Sequence, residues 1–499
     1  MIPLSKYTKN RFAQGVKLFH GKEKENDRPE ERNGTQKKWK RRIIGGITAA
    51  GVGFSLLLTG MFGSAEEILQ QKTQTITRQQ NPVVIMMDAE EPDTEEEEEN
   101  AFLEPLEEIS DSKEAEPEKE ILEKQEIVTS SVSVDRPDII VIMDEAFSDP
   151  AVDADFTTNT DYMPFVHSLQ QGAENTVTGY MNVSVLGGNT PNTEFEFLTG
   201  DSMAFLPKSS IPYQQYIRKA TESIPSYLKE NSGYATIAMH PYDSSGWNRT
   251  NVYPLLGFDE LYFLDGYFEN LGLAEVRNYI SDEAFFTQIE KEVEKRNSDG
   301  PVFSFNVTMQ NHSGYSKTFD NLPWVVRLDG TEDDSDKKTI RINNYLNLVR
   351  LTDSALEEMT EYYSKSDRPT IIVFFGDHQP DPSILEAIWN QNGKSFENLS
   401  EEDTFNTYRV PFVIWANYDI EEESGLEISA DYLGNLVLKE AGINLTNYRS
   451  FTDEFSKEYP VVSPIRTVNS AGESAATDDI YDKLTEYAKM QYYMLFDAD

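Results

Sequence analysis

Five short apolar runs punctuate this chain: DIIVIM (138–143), ATIAM (235–239), VFSFNVTM (302–309), TIIVFF (370–375) and VPFVIWA (410–416). Segments with helical spacing separate them, among them IPSYLKENS, EAFFTQIEKEVEKRN and NYLNLVRLTDSALEEMTEYYSK. Strands that are almost continuously apolar bury both faces, and strands alternating with amphipathic helices pair in parallel. The pattern predicts an α/β fold with a mostly parallel central sheet and helices on both faces, forming one domain over 135–499. The terminal run DDIYDKLTEYAKMQYYMLF is expected to be a last helix packed on that domain.

Four of these strands lead directly into residues with chemical potential. DIIVIM runs into Asp144-Glu145, ATIAM into His240, VFSFNVTM into Asn311-His312, and TIIVFF into Gly376-Asp377-His378. In open α/β sheets ligands bind beyond the carboxyl ends of the strands. Three of the five histidines of the chain, His240, His312 and His378, therefore meet acidic residues at one edge, while His20 and His167 do not. Taken singly, each such histidine has a structural reading. Asp377-His378 also reads as a strand-end turn with Asp capping the next helix. Taken jointly, Glu145, Asp377 and His378 offer two carboxylates and an imidazole. Without thiolates, that set suits a hard or borderline divalent ion such as Mn²⁺, Mg²⁺ or Zn²⁺.

The rest of the chain is organised differently. The uncharged run IIGGITAAGVGFSLLLTGMF is about twenty residues long, enough to span a bilayer core as a helix. Lys37, Lys38, Lys40, Arg41 and Arg42 precede it directly. By the positive-inside rule residues 1–42 stay in the cytoplasm, 43–63 form a transmembrane anchor and the remainder lies outside. The alternative is a signal peptide cut after Gly63-Ser64-Ala65. Net charge is −43, much of it between Asp88 and Glu126. The segment 64–134 is accordingly expected to be a disordered acidic linker. Nucleic acid is excluded as a partner, because no basic footprint exists beyond the N-terminal arm. The chain has no cysteine, which excludes disulfides and thiolate metal sites.

A nucleophile candidate lies in Leu186-Gly187-Gly188-Asn189-Thr190-Pro191. Two glycines permit a tight turn, and Pro191 at a helix start places Thr190 as the N-cap. A capping threonine is the bland reading. The functional one is that helix-start N–H groups attract phosphate, and that a metal or base ionises the hydroxyl. The segment His240-Pro-Tyr-Asp243-Ser-Ser-Gly-Trp247-Asn-Arg249 adds a guanidinium able to fork onto phosphate.

The motifs IVIMDEAFSD, GGNTPNTEFEF, MHPYDSSGWNR, MQNHSGY and FFGDHQP occur in that order. With them residues 137–499 resemble the extracellular domain of lipoteichoic acid synthases and related phosphoglycerol transferases, of the alkaline phosphatase and sulfatase superfamily. The resemblance implies that Glu145, Thr190, Asp377 and His378 hold one divalent metal, Mn²⁺ by preference, with Thr190 also the nucleophile. It implies that His240, Trp247, Arg249 and His312, together with Asp243, hold glycerol phosphate. The implied reaction is ping-pong. Thr190 attacks phosphatidylglycerol and releases diacylglycerol, with His312 as proton donor, and a glycolipid or polymer hydroxyl then displaces Thr190. Such families often carry an acid where this chain has Tyr242. Typical synthases also have several membrane helices where one is expected here, which bears on processive polymer synthesis. The alternatives are a phosphoethanolamine transferase, a phosphodiester hydrolase or an inactive envelope binding module. Sulfatase chemistry is disfavoured because it needs Cys or Ser at position 190.

Overall fold

The strand-forming runs do assemble into one sheet. The computed structural model describes residues 116–331, 333–476 and 479–498. Its strands are, in chain order, β1 (Asp138–Asp144), β2 (Thr176–Asn182), β3 (Ala235–His240), β4 (Glu260–Phe263), the hairpin strands β5 (Glu275–Val276) and β6 (Tyr279–Ile280), β7 (Val302–Val307), β8 (Thr370–Gly376), β9 (Arg409–Ala416), β10 (Glu423–Ser429), and the short pair β11 (Val461–Val462) and β12 (Thr467–Val468). Eight of them form a sheet in the order β10-β2-β9-β8-β1-β7-β3-β4. Only β9 in this sheet runs against its neighbours, so the expectation of a mostly parallel sheet holds.

Both faces are covered. Ile139, Val141 and Met143 of β1 and Ile371, Val373 and Phe375 of β8 pack into one cluster with Phe195, Leu228, Val252 and Leu433. The intervening Ile140, Ile142, Ile372 and Phe374 pack into the other, with Phe285, Ile289, Tyr345 and Leu346. Strand side chains alternate between faces, so two helical layers are needed, each buried aliphatic contributing about 1.5–3 kcal/mol. The long helices Asp282–Asn297 and Lys337–Tyr363 start on side-chain caps: Ser281 accepts from Ala284 N and Asp336 from Thr339 N.

Apolar on both faces, such strands do not fix their register by alternation. A buried clasp at the opposite edge pins them instead. Asp138, opening β1, accepts the Val302 N–H (2.9 Å) and the Arg368 guanidinium, which also reaches Gly300 O (2.7 Å). Asp144 then lies level with Gly376, and Met143 with Val307. The carboxyl ends of β8, β1, β7 and β3 therefore finish along one edge.

Two expectations are corrected. The linker expected over 64–134 does not stay unstructured to its end: Glu116–Glu123 is a helix with Leu122 buried against Tyr487 and Met490 of the C-terminal helix Tyr481–Tyr492. Val128 N donates to Ser450 Oγ (2.9 Å) and Ser130 Oγ to Lys439 O (2.7 Å). Leu122 and Val128 supply the apolar contacts that the acidic composition obscured. Thr190, moreover, is the first helical residue rather than the N-cap; Asn189 holds that position in a left-handed conformation. Among the described residues no helix is long and apolar enough to cross a membrane. The arm and the anchor expected over 1–42 and 43–63 lie outside them.

Candidate active site

The strand ends bring Glu145, Asp377 and His378 together, with one potential ligand atom from each lying within 4.8 Å of the others. Asp377 Oδ1 is committed to the Ala146 and His378 N–H groups (2.7 and 2.8 Å). Its Oδ2 is buried without a hydrogen-bond partner, and so is His378 Nε2. The other nitrogen, His378 Nδ1, faces Gln379 O at 2.9 Å. In the neutral ring Nδ1 therefore carries the proton and Nε2 a lone pair. Two orphaned buried ligand atoms, 3.2 Å apart, are costly unless something positive sits between them. Burial, then the charge of Asp377, push the Glu145 carboxyl well above its usual range, a penalty that a divalent ion removes. The residues fit a metal.

Thr190 joins this group, its Oγ1 3.4 Å from Glu145 Oε2. Its helix, Thr190–Thr199, is entered through three successive positive-φ residues, Gly187 (69°), Gly188 (152°) and Asn189 (64°). Only glycine and asparagine adopt these readily. A Cβ on Gly187 would also come within 3.2 Å of Asp381 Cα. Gly187 N donates to Gln379 O (3.0 Å) and Thr193 Oγ1 to Asp377 O (2.7 Å), lashing the threonine turn to the β8 end. No side chain caps this helix, which leaves its start suited to an anion.

The other candidates divide. His240 is buried, with Nδ1 on Val307 O at 3.0 Å. Burial, then the Arg249 charge, hold its imidazole well below the usual range. Tyr242 bridges the two histidine positions, its ring 6.0 Å from that of His240 and 6.3 Å from that of His312. Arg249 is buried, but its Nε (3.0 Å) and Nη2 both bind Glu194 Oε1, while Tyr253 OH donates to Oε2 (2.8 Å). Trp247 is half-buried at φ 54°, followed by Asn248 at φ 63°. Two consecutive left-handed non-glycine residues are strained, and such strain clusters at functional loops. Asp243 is exposed, and its Oδ1 accepts the Ser245 N–H (2.8 Å), which makes it a brace for its own loop.

Glu194, Arg277 and Tyr279 carried no separate sequence signal. Glu194 sits four positions after Thr190 on one helix face, a spacing that links it to the site. Asp144, next to Glu145, turns instead into the interior. It accepts Thr308 Oγ1 (3.0 Å) and Asn311 Nδ2 (2.8 Å), while Thr308 Oγ1 also receives the Glu145 N–H (3.0 Å). Burial, then the charge of Asp282, raise the Asp144 carboxyl. Arg277 and Tyr279, far from every motif, reach the His312 loop.

A model of the sulfatase family matches residues 137–443. This chain belongs to the sulfatase family. Within it, the chain is 30% identical over 370 residues to a putative cyclic β-1,2-glucan modification protein of Rhizobium meliloti, covering 72% of this chain and 55% of that one. It is 26% identical to a lipoteichoic acid synthase of Staphylococcus saprophyticus, over 61% of this chain and 45% of the synthase. The chain thus spans about half the length of the curated relatives it matches. The fold is shared with the Streptococcus pyogenes phosphoglycerol transferase GacH, solved with sn-glycerol-1-phosphate: TM-score 0.59, 22% identity, 76% of this chain and 91% of that one.

Proposed function

We propose that this chain transfers a glycerol phosphate headgroup from phosphatidylglycerol to a glycolipid or teichoic-acid-type acceptor through a covalent Thr190 intermediate. The observation that carries the reading is the Thr190 hydroxyl at an uncapped helix start, 3.4 Å from Glu145 and beside the unpartnered Asp377 Oδ2 and His378 Nε2. Relatives named as a lipoteichoic acid synthase and a phosphoglycerol transferase support the substrate class. Catalysis takes place on the outer face of a membrane, with the chain anchored through 43–63.

Glu145, Asp377, His378 and the Thr190 hydroxyl would hold one divalent ion, Mn²⁺ by preference. When bound, that ion supplies the positive charge that lowers the pKa of the Thr190 hydroxyl and offsets charge on the phosphoryl oxygens. Thr190 Oγ1 attacks phosphorus in line as the P–O bond to diacylglycerol breaks, and the proton given up by the Thr190 hydroxyl leaves on diacylglycerol. The helix start stabilises the anionic adduct. His240, Trp247 and Arg249 bind and orient the glycerol phosphate, with Glu194 fixing the Arg249 fork. An acceptor hydroxyl then attacks the same phosphorus, loses its proton and returns it to Thr190.

Incubating headgroup-labelled phosphatidylglycerol and Mn²⁺ with the protein, quenching rapidly without acceptor, and mapping the label tests this. Label is expected on Thr190. Thr190→Ala should abolish turnover while folding normally, because Thr190 is not the helix cap and alanine is at ease in a helix. Thr190→Ser should retain part of the activity. Turnover in Thr190→Ala, or label elsewhere, rules the mechanism out.

A further inference from the structure

The three histidines of the site differ in what their Nδ1 atoms face. For His240 and His378 it is a backbone carbonyl, Val307 O at 3.0 Å and Gln379 O at 2.9 Å. A carbonyl only accepts, so both rings carry Nδ1–H and expose an Nε2 lone pair. For His312 it is hydroxyls: Tyr279 OH at 3.1 Å and Ser313 Oγ at 3.4 Å. A hydroxyl can donate or accept, but a phenol is the better donor, and a hydrogen bond given by Tyr279 to Nδ1 would place the ring proton on Nε2.

The tyrosine is held by an unusual support. Arg277, between β5 and β6, is buried at φ 58°. Its Nη2 donates to Gln310 O and His312 O, both at 2.6 Å, and its Nη1 approaches Ser313 O (3.3 Å) and Gly314 O (3.4 Å). Rings of Tyr279, Tyr315 and Phe319 lie 5.4, 5.2 and 5.7 Å from its Cζ. One guanidinium therefore fixes the backbone of the loop that carries His312 and also packs against the tyrosine that touches its ring. A lysine cannot reproduce that fork.

We propose that Arg277 and Tyr279 are positioning residues that lock His312 as the neutral Nε2–H tautomer, so that it acts as a hydrogen-bond donor to the phosphoryl group and not as a proton-transferring acid. The phosphoryl part of this inference rests on the proposed function; the tautomer does not. Burial keeps the His312 imidazole at about 4, so the ring is uncharged near neutral pH and donates without giving up its proton. The opposite tautomer would point a lone pair at an anion and repel it.

The test is ¹⁵N NMR of the full chain in detergent, labelled at histidine, with His312→Gln assigning the resonance among the five histidines. In the wild type His312 should show a protonated Nε2 and a bare Nδ1, and Tyr279→Phe should shift it toward Nδ1–H or a mixture. Tyr279→Phe should also lower kcat about 10–100-fold, with KM and Mn²⁺ stoichiometry unchanged. Arg277→Lys should broaden the same resonance. Wild-type His312 with Nδ1–H, or a tautomer unmoved by Tyr279→Phe, overturns the proposal. The expected tautomer in a protein that does not turn over phosphatidylglycerol would sink the proposed donor and leave the positioning roles standing.

Discussion

Replacing Gly376 by alanine tests whether the proposed metal site depends on how closely two strand ends approach. Gly376 closes β8 and lies level with Asp144. A Cβ on it would sit 1.9 Å from the Phe147 carbonyl oxygen and 3.3 Å from Val410 Cβ. Ordinary contact begins near 3.4 Å, so the backbones must part by about 1.5 Å, overpacking that typically costs about 1–3 kcal/mol. β8 is locked between β1 and β9, and cannot shift without breaking both ladders. The movement falls on Asp377 and His378 on one side and on the turn from Glu145 to Phe147 on the other. Metal–ligand distances tolerate only about 0.2 Å, so Mn²⁺ affinity should fall by at least about tenfold. Titration calorimetry with Mn²⁺ and thermal melts of metal-free protein measure both effects. Gly246→Ala is the control, since its Cβ would meet nothing closer than 3.7 Å. A Gly376→Ala protein with wild-type melting temperature and Mn²⁺ affinity would refute the reasoning.

Two further outcomes concern paired charges. Glu194→Ala strands a buried guanidinium, since the Glu194 and Arg249 side chains are 0% and 2% exposed. It should cost about 3–5 kcal/mol in chemical denaturation, with Glu194→Gln milder; a loss below about 1 kcal/mol would contradict the pairing. Burial alone would lower the His167 imidazole, but hydrogen bonds and charge from Asp149 and Asp161 raise it to about 9. The folded value lies above the unfolded one, so this stabilisation is complete below about pH 6.5 and is lost as pH rises through about 9. His167→Gln should therefore melt below wild type at about pH 6 and alongside it near pH 10. A gap independent of pH would show that the imidazolium is not what matters.

The sequence by itself determined the class of fold and much of the chemistry. Continuous apolar strands followed by Glu145, His240, His312 and Asp377-His378 require a parallel sheet with those groups beyond its strand ends, because parallel strands all finish at the same edge. Gly187-Gly188 likewise pointed to a tight turn ahead of Thr190, while the left-handed Asn189 at the helix N-cap emerged only from the structure. The tertiary structure decided what local pattern cannot encode. Strand order and the reversal of β9 depend on which strands meet. Register depends on Asp138 and Arg368, 230 residues apart. Which carboxylate joins Asp377 and His378 also depends on long-range partners: Asp144 and Glu145 are adjacent in sequence, yet Thr308 and Asn311 draw one inward while the other meets Asp377 and His378. What faces the Nδ1 atoms of His240 and His312 is likewise decided at long range, Val307 O for one and Tyr279 OH for the other. A hydrogen bond is a relation between two positions in space, and for these groups the second position lies far along the chain.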